Sequence, residues 1–184
     1  ENVSTGKTVN NRDRFSIRGE LFFELSNDAT LRATIDYDEY DEFCCAVGSA
    51  NYGTGNFIAS LMGGGIIPNN PFTEKVFFEY DPVTEGDNSG ISLHYIKESE
   101  DTTLESITSV RNSFNTNVQD VDFDGAPIVN PSPLSKDLEA VTQEFRLYSN
   151  DNEIVNWLVG AYYYQEDMNF NESIYFGPMW RTYI

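Results

Sequence analysis

The chain of 184 residues carries 30 acidic and 11 basic residues, a formal net charge of −19. That balance excludes an electrostatic DNA or RNA binder, which needs Lys and Arg to displace phosphate counterions. An aromatic share of 14%, with 13 Phe and 11 Tyr, excludes a disordered acidic chain and favours strands, and 13 Gly and 7 Pro supply turns.

The chain opens at Glu1 with no Met start, no cationic n-region and no apolar h-region, so it is expected to be a fragment of a longer polypeptide. Thr5-Gly6-Lys7-Thr8 resembles the end of a phosphate loop, but the required earlier Gly falls on Glu1 and no apolar strand precedes it. The first periodic segment is Arg14 to Leu25. Phe15, Ile17, Leu21, Phe23 and Leu25 share one face, with Gly19 as a gap. Ser16, Arg18, Glu20 and Glu24 share the other, with Phe22 as the exception. This period of two predicts a strand over 14–25. After the turn Ser26-Asn27-Asp28, a second strand over 29–40 sets Leu31, Ala33, Ile35 and Tyr37 against Arg32, Thr34, Asp36 and Asp38.

A long loop is predicted over 41–88. No charge stands between Glu42 and Glu74, a length that passes a crude filter for a spanning helix. Its apolar part from Phe57 to Ile67 is short and broken by Gly63, Gly64 and Gly65, which favours a structured loop. Gly53-Thr54-Gly55 lacks the third Gly of a dinucleotide site, since Ile58 stands there. Strands follow over 90–98 and 102–114 about a polar turn, the second of them alternating poorly. A loop is predicted over 120–136. The last pair covers 138–149 and 153–166, with Phe145 and Leu147 opposing Thr142, Glu144 and Arg146. Val155, Trp157, Val159, Ala161 and Tyr163 form the expected apolar face of the final strand, and a loop tail covers 167–184.

The fold class is therefore all-β, an antiparallel up-and-down meander of about six strands in three hairpins. Polar turns close the hairpins at one end and long loops connect them at the other. That asymmetry favours a segment of a large transmembrane β-barrel, with the apolar face on lipid and the charged face on a watery lumen. The alternative with the same alternation is a secreted acidic β-sandwich module that binds calcium or glycan, its apolar face forming an inner core.

Candidate chemistry is sparse. Cys44 and Cys45 are the only cysteines. In an oxidising location they can join each other, pair with cysteines outside this chain, or stay reduced. The lone His94 is expected as a lumen-facing polar residue rather than a metal ligand. Asp120, Asp122 and Asp124, followed by Gly125, copy the start of a calcium loop, but Pro131 occupies the position that should carry a bidentate Glu. A calcium site there competes with a plain acidic loop. Asp36, Asp38, Glu39, Asp41 and Glu42 read as a solvated acidic rim. No G-x-S-x-G occurs and a single His makes a Ser-His-Asp triad improbable, so the chain is not expected to be an enzyme. Tyr52, Phe57, Leu61, Met62, Ile66 and Ile67 are candidates for a ligand vestibule or for a self-packed loop core.

The segment Thr142 to Asp167 resembles a barrel hairpin of TonB-dependent outer-membrane receptors. It carries Gln143-Glu144-Phe145-Arg146-Leu147, then Ser149, then Trp157-Leu158-Val159-Gly160-Ala161-Tyr162-Tyr163. Arg14 to Cys45, with its Arg-Gly strand, Asp-Tyr end and paired cysteines, and the strand Leu104 to Arg111 are similar to the same family. The resemblance spans most of residues 12–167. It implies a barrel of about twenty-two strands in the bacterial outer membrane, plugged by an N-terminal domain. It also implies uptake of scarce ligands driven by the TonB complex, with a ferric siderophore as first guess. This chain would supply about six strands, without the plug. The implied partners are that plug domain, the TonB complex, a small-molecule ligand and outer-membrane lipid. Arg18, Glu20, Arg32, Glu144 and Arg146 fall on the lumen side, where they would seat the plug or pair within the wall.

Overall fold

The computed structural model describes residues 1–48, 53–64, 71–150 and 154–184. Six strands lie in one antiparallel sheet in the order β1 (Arg14–Ser26), β2 (Ala29–Glu42), β3 (Val83–Glu98), β4 (Thr102–Gln119), β6 (Ser132–Ser149) and β7 (Leu158–Glu172). Two short strands, β5 (Val129–Asn130) and β8 (Tyr175–Phe176), pair with each other in a separate sheet. Helical segments are confined to α1 (Thr54–Ala59) with a π-helical turn after it at Ser60–Gly64, a 3₁₀ turn at Pro71–Thr73, and α2 (Trp180–Tyr183). No helix among the described residues is long and apolar enough to cross a membrane.

The sheet is an open meander. β1 pairs only with β2 and β7 only with β6, so one edge of each is unpaired. The sandwich expectation is corrected here: the six strands form one layer, and the only other sheet among the described residues is the β5–β8 pair. All residues of β1 and β7 are exposed, including Leu21 at 63% and Val159 at 64%. Apart from Ala29 at the start of β2, buried apolar side chains gather in the loops instead. Val9, Ala46, Val76 and Phe78 form one small core with Phe43 against it, and Ala126 and Ile128 form another.

The strands run longer than their apolar periodicity predicts. β3 begins at Val83 rather than Gly90, β4 continues to Gln119, β6 begins at Ser132 rather than Leu138, and β7 reaches Glu172. The added lengths are rich in Asp, Asn, Ser and Glu, so they carry no apolar alternation, yet in β3, β4 and β6 all but their end residues are paired by neighbours on both sides. The long loops shrink accordingly to 43–82 and 120–131. The tail is also not a plain loop, since it holds β8 and α2. Val155 and Trp157 precede β7, in the turn rather than on the strand face, and residues 151–153 lie outside the described residues.

The turn end is laced together. Glu98 N–H donates to Asp28 O at 2.7 Å and Asn150 N–H to Asp101 O at 2.9 Å. Asn150 Nδ2 donates to Ser99 O at 2.6 Å, while its Oδ1 accepts from the buried Thr103 hydroxyl at 2.7 Å. One side chain thereby joins the β3–β4 and β6–β7 turns.

Candidate functional site

Because side chains alternate along each strand, the register sorts the sheet into two unlike faces. On the first face, Arg18, Asp36, Gly90, Arg111, Ala140 and Glu166 stand in one row across all six strands. The five residues predicted for the lumen, Arg18, Glu20, Arg32, Glu144 and Arg146, all lie on this face. Four of them are ion-paired within the sheet. Arg32 Nε is 3.6 Å from Glu20 Oε1. Arg146 reaches Glu144 Oε1 at 2.7 Å and Glu105 Oε2 at 3.6 Å. Tyr148 Oη donates to Glu105 Oε1 at 3.0 Å. His94 belongs to the same network, its Nε2 3.8 Å from Glu105 Oε2, too far for a hydrogen bond. Arg18 has no ion pair among the described residues. Glu105, the hub of the network, was not singled out by the sequence, because its role depends on which residues β6 sets beside β4.

Two long-range pairs cross this face over glycines of β3. Arg111 on β4 passes over Gly90 to Asp36 on β2, with Nη2 to Oδ2 at 2.6 Å. Tyr40 on β2 passes over Gly86 and accepts from Asn115 Nδ2 on β4 at 2.6 Å. Only a residue without Cβ leaves room for these crossings. A Cβ on Gly90 would stand 2.9 Å from Arg111 Nη1, and one on Gly86 would meet Tyr40 and stand 2.6 Å from the Phe114 carbonyl oxygen.

The second face divides along the strands. Its half near the turns is apolar: Gly19, Ile35, Ile91, Val110 and Val141 share one row, and Phe23, Leu31, Tyr95, Phe145 and Ala161 share another. Phe145 and Leu147 fall here as their spacing predicts, opposite Thr142, Glu144 and Arg146. Towards the loops the same face turns acidic. Glu39, Asp87 and Asp137 share a row with Phe15 and Phe114; Glu139 and Asp167 share the next with Ile17 and Tyr37. Asp13, Tyr37, Glu39, Asp41, Glu85 and Asp87 help to line an open groove of about 510 Å³ there.

The loops form a cap at the acidic end. Cys44 and Cys45 are bonded to each other, and the peptide between them is cis. Their carbonyls anchor the start of the 43–82 segment to the sheet: Thr84 Oγ1 donates to Cys44 O at 2.8 Å and Gln119 Nε2 to Cys45 O at 2.9 Å. Beneath them, Glu42 is 2% exposed and takes ion pairs from Arg12, at 3.1 Å, and from Arg14. Asn2, fully buried, accepts from Phe78 N–H at 3.1 Å and donates to Phe78 O at 3.2 Å.

Of the vestibule candidates, Phe57 and Leu61 are exposed, at 57% and 72%, whereas Met62 packs against Ala126 and Ile128 beside Met179 and Trp180. Tyr52, Ile66 and Ile67 lie outside the described residues. At Asp120, Asp122 and Asp124 the structure shows hydrogen bonds within the loop. No three His, Cys, Asp or Glu side chains among the described residues converge as a metal site. Asp122 instead accepts N–H groups from Asp124 at 3.2 Å and Val129 at 2.7 Å, and Asp124 accepts from Ala126 N–H at 3.0 Å. These carboxylates are spent on shaping the loop. Burial, reinforced by Asp122, pushes Asp120 up to about 9, and burial pushes Asp124 up to about 6. Burial, and then Asp122 and Asp124, raise Glu79 as well.

Compared with protein-family models, with curated proteins and with solved structures, the chain finds no match in any of the three.

Proposed function

We propose that this chain is a wall-and-loop segment of a TonB-dependent transporter in the bacterial outer membrane. The observation that carries this reading is the single-layer sheet with two unlike, uncovered faces. A soluble sheet needs at least one apolar face covered, and this one exposes a band including Leu21, Ile35, Ile91 and Phe145. The uncovered polar face carries cross-strand ion pairs, as a water-filled interior demands. Strands of 13 to 18 residues exceed the ~9–11 that a tilted bilayer crossing takes, so they continue into water, where the second face turns acidic. The unpaired edges of β1 and β7 are where further strands of a closed wall would join.

In this reading the capped loops meet the ligand outside the cell, the sheet forms part of the wall, and the ion-paired face surrounds the plug carried elsewhere in the longer protein. Scarce ligands are the expected cargo, a ferric siderophore first among them. The test uses the full-length parent protein in a bacterium lacking its own siderophore receptors. Uptake of labelled ferric siderophore that stops when the proton-motive force is collapsed supports the reading. A parent protein that fractionates with the soluble periplasm contradicts it.

A further inference from the structure

The bonded pair Cys44–Cys45 stands at the start of the 43–82 segment, and its two sulfurs have unlike surroundings. Cys44 is 5% exposed, and Arg12 Nη1 lies 3.8 Å from its Sγ. Cys45 is exposed. The charge beside the buried sulfur is positive on balance: Arg12 and Arg14 share the single carboxylate of Glu42, which leaves one guanidinium charge in excess. The backbone is clamped on either side of the pair. Asn10 N–H donates to Phe43 O at 2.6 Å, and Phe43 N–H donates to Asn11 Oδ1 at 2.6 Å. The Asn10 side chain clasps Ala46, accepting its N–H at 2.9 Å and donating to its carbonyl at 2.8 Å. Thr84 and Gln119 hold the carbonyls of the pair itself, so residues 43–46 are fixed by hydrogen bonds as well as by the S–S bond.

We propose that Cys45 is a thiolation site, onto which a low-molecular-weight thiol exchanges with Cys44 as the leaving group. The incoming thiolate attacks Sγ of the exposed Cys45. A new S–S bond forms there, the Cys44–Cys45 bond breaks, and its electron pair leaves on Cys44 Sγ. The incoming sulfur is oxidised and Cys44 is reduced, with no outside oxidant or reductant, and the proton of the incoming thiol goes to solvent. Exchange favours attack on the accessible sulfur and departure of the thiolate that its surroundings stabilise better. Both conditions select the same direction here, because Arg12 faces the sulfur that leaves. With residues 43–46 still clamped, the Cys44 thiolate stays beside Cys45 and returns to expel the thiol, so the modification is reversible. The exchange depends on the cap alone and not on what the sheet faces.

The test treats the purified full-length parent protein with mercaptoethanol and quenches the exchange in acid. Free thiols are then blocked with N-ethylmaleimide at acid pH, and the peptide holding residues 44 and 45 is sequenced by tandem mass spectrometry. The mercaptoethanol adduct should be on Cys45 and the maleimide on Cys44, a result that needs no variant. Arg12→Gln should slow adduct formation several-fold, while Arg12→Lys, which keeps the charge, should restore most of the rate. When the thiol is removed before the quench, the parent should lose the adduct and close the Cys44–Cys45 bond again. Cys44→Ser, loaded at Cys45 with hydroxyethyl disulfide, should keep its adduct under the same treatment. An adduct on Cys44, an even division between the two sulfurs, or a pair that takes up no thiol overturns the proposal. So does an Arg12→Gln protein that reacts as fast as the parent.

Discussion

Gly86 and Gly90 show how single residues hold the polar face together. Both sit on the third strand beneath a side chain that bridges the second and fourth strands. They differ in what a methyl group would meet. At Gly90 it is the mobile end of Arg111, so Gly90→Ala should displace the guanidinium from Asp36 and cost no more than the exposed ion pair contributes, ~0.2–1 kcal/mol. At Gly86 it is the backbone of Phe114 as well as Tyr40, so Gly86→Ala should cost ~1–3 kcal/mol, the range for overpacking. Unfolding midpoints of the two variants in detergent, compared with the parent, check the order; equal losses contradict it. Arg18, Glu20, Arg32, Glu144 and Arg146 could be assigned to one face from sequence, because a period of two suffices. Glu105, Glu79 and Asn2 could not, since their roles arise from partners brought near only by register and loop packing.

The three hairpins were readable where apolar and polar residues alternate, and unreadable where both faces are polar. The β3 segment from Val83 to Ser89 holds Glu85, Gly86, Asp87 and Asn88, with no apolar face to betray a strand. It is extended because strands on either side complete its hydrogen bonds. The same holds for Leu134 to Asp137, and Pro133, paired on the β4 side alone, is tolerated near the strand start. The turns were found by composition, but their mutual lacing through Asn150 was not, since it joins segments distant in sequence. Asn150→Ala removes the acceptor of the buried Thr103 hydroxyl and the donor to Ser99, and should cost ~1–3 kcal/mol. Chemical denaturation followed by circular dichroism should show a lower midpoint with an unchanged slope. An unchanged midpoint would mean that solvent replaces Asn150 without loss.

At the scale of the whole molecule, the sheet is left with two open edges and an exposed apolar band. In water that band should far exceed the few hundred Å² that soluble monomers tolerate. The net charge of −19 opposes association, but on the second face its acidic groups are displaced towards the loops, away from the apolar rows. Residues 1–184 expressed alone without detergent should therefore aggregate or stay unfolded, and detergent should restore strand content. A cooperative thermal transition of a soluble monomer in plain buffer would contradict this. The face assignment itself is tested most directly by a nitroxide scan of Arg14 to Leu25 in the full-length parent, reconstituted in bilayers. Labels at Leu21 and Phe23 should be reached by dissolved oxygen and not by a water-soluble paramagnetic reagent. Labels at Arg18 and Glu20 should show the reverse, with Ile17 in the lipid near its boundary with the acidic rows. The opposite pattern, or accessibility without alternation, would contradict a sheet with one face on lipid and the other on water.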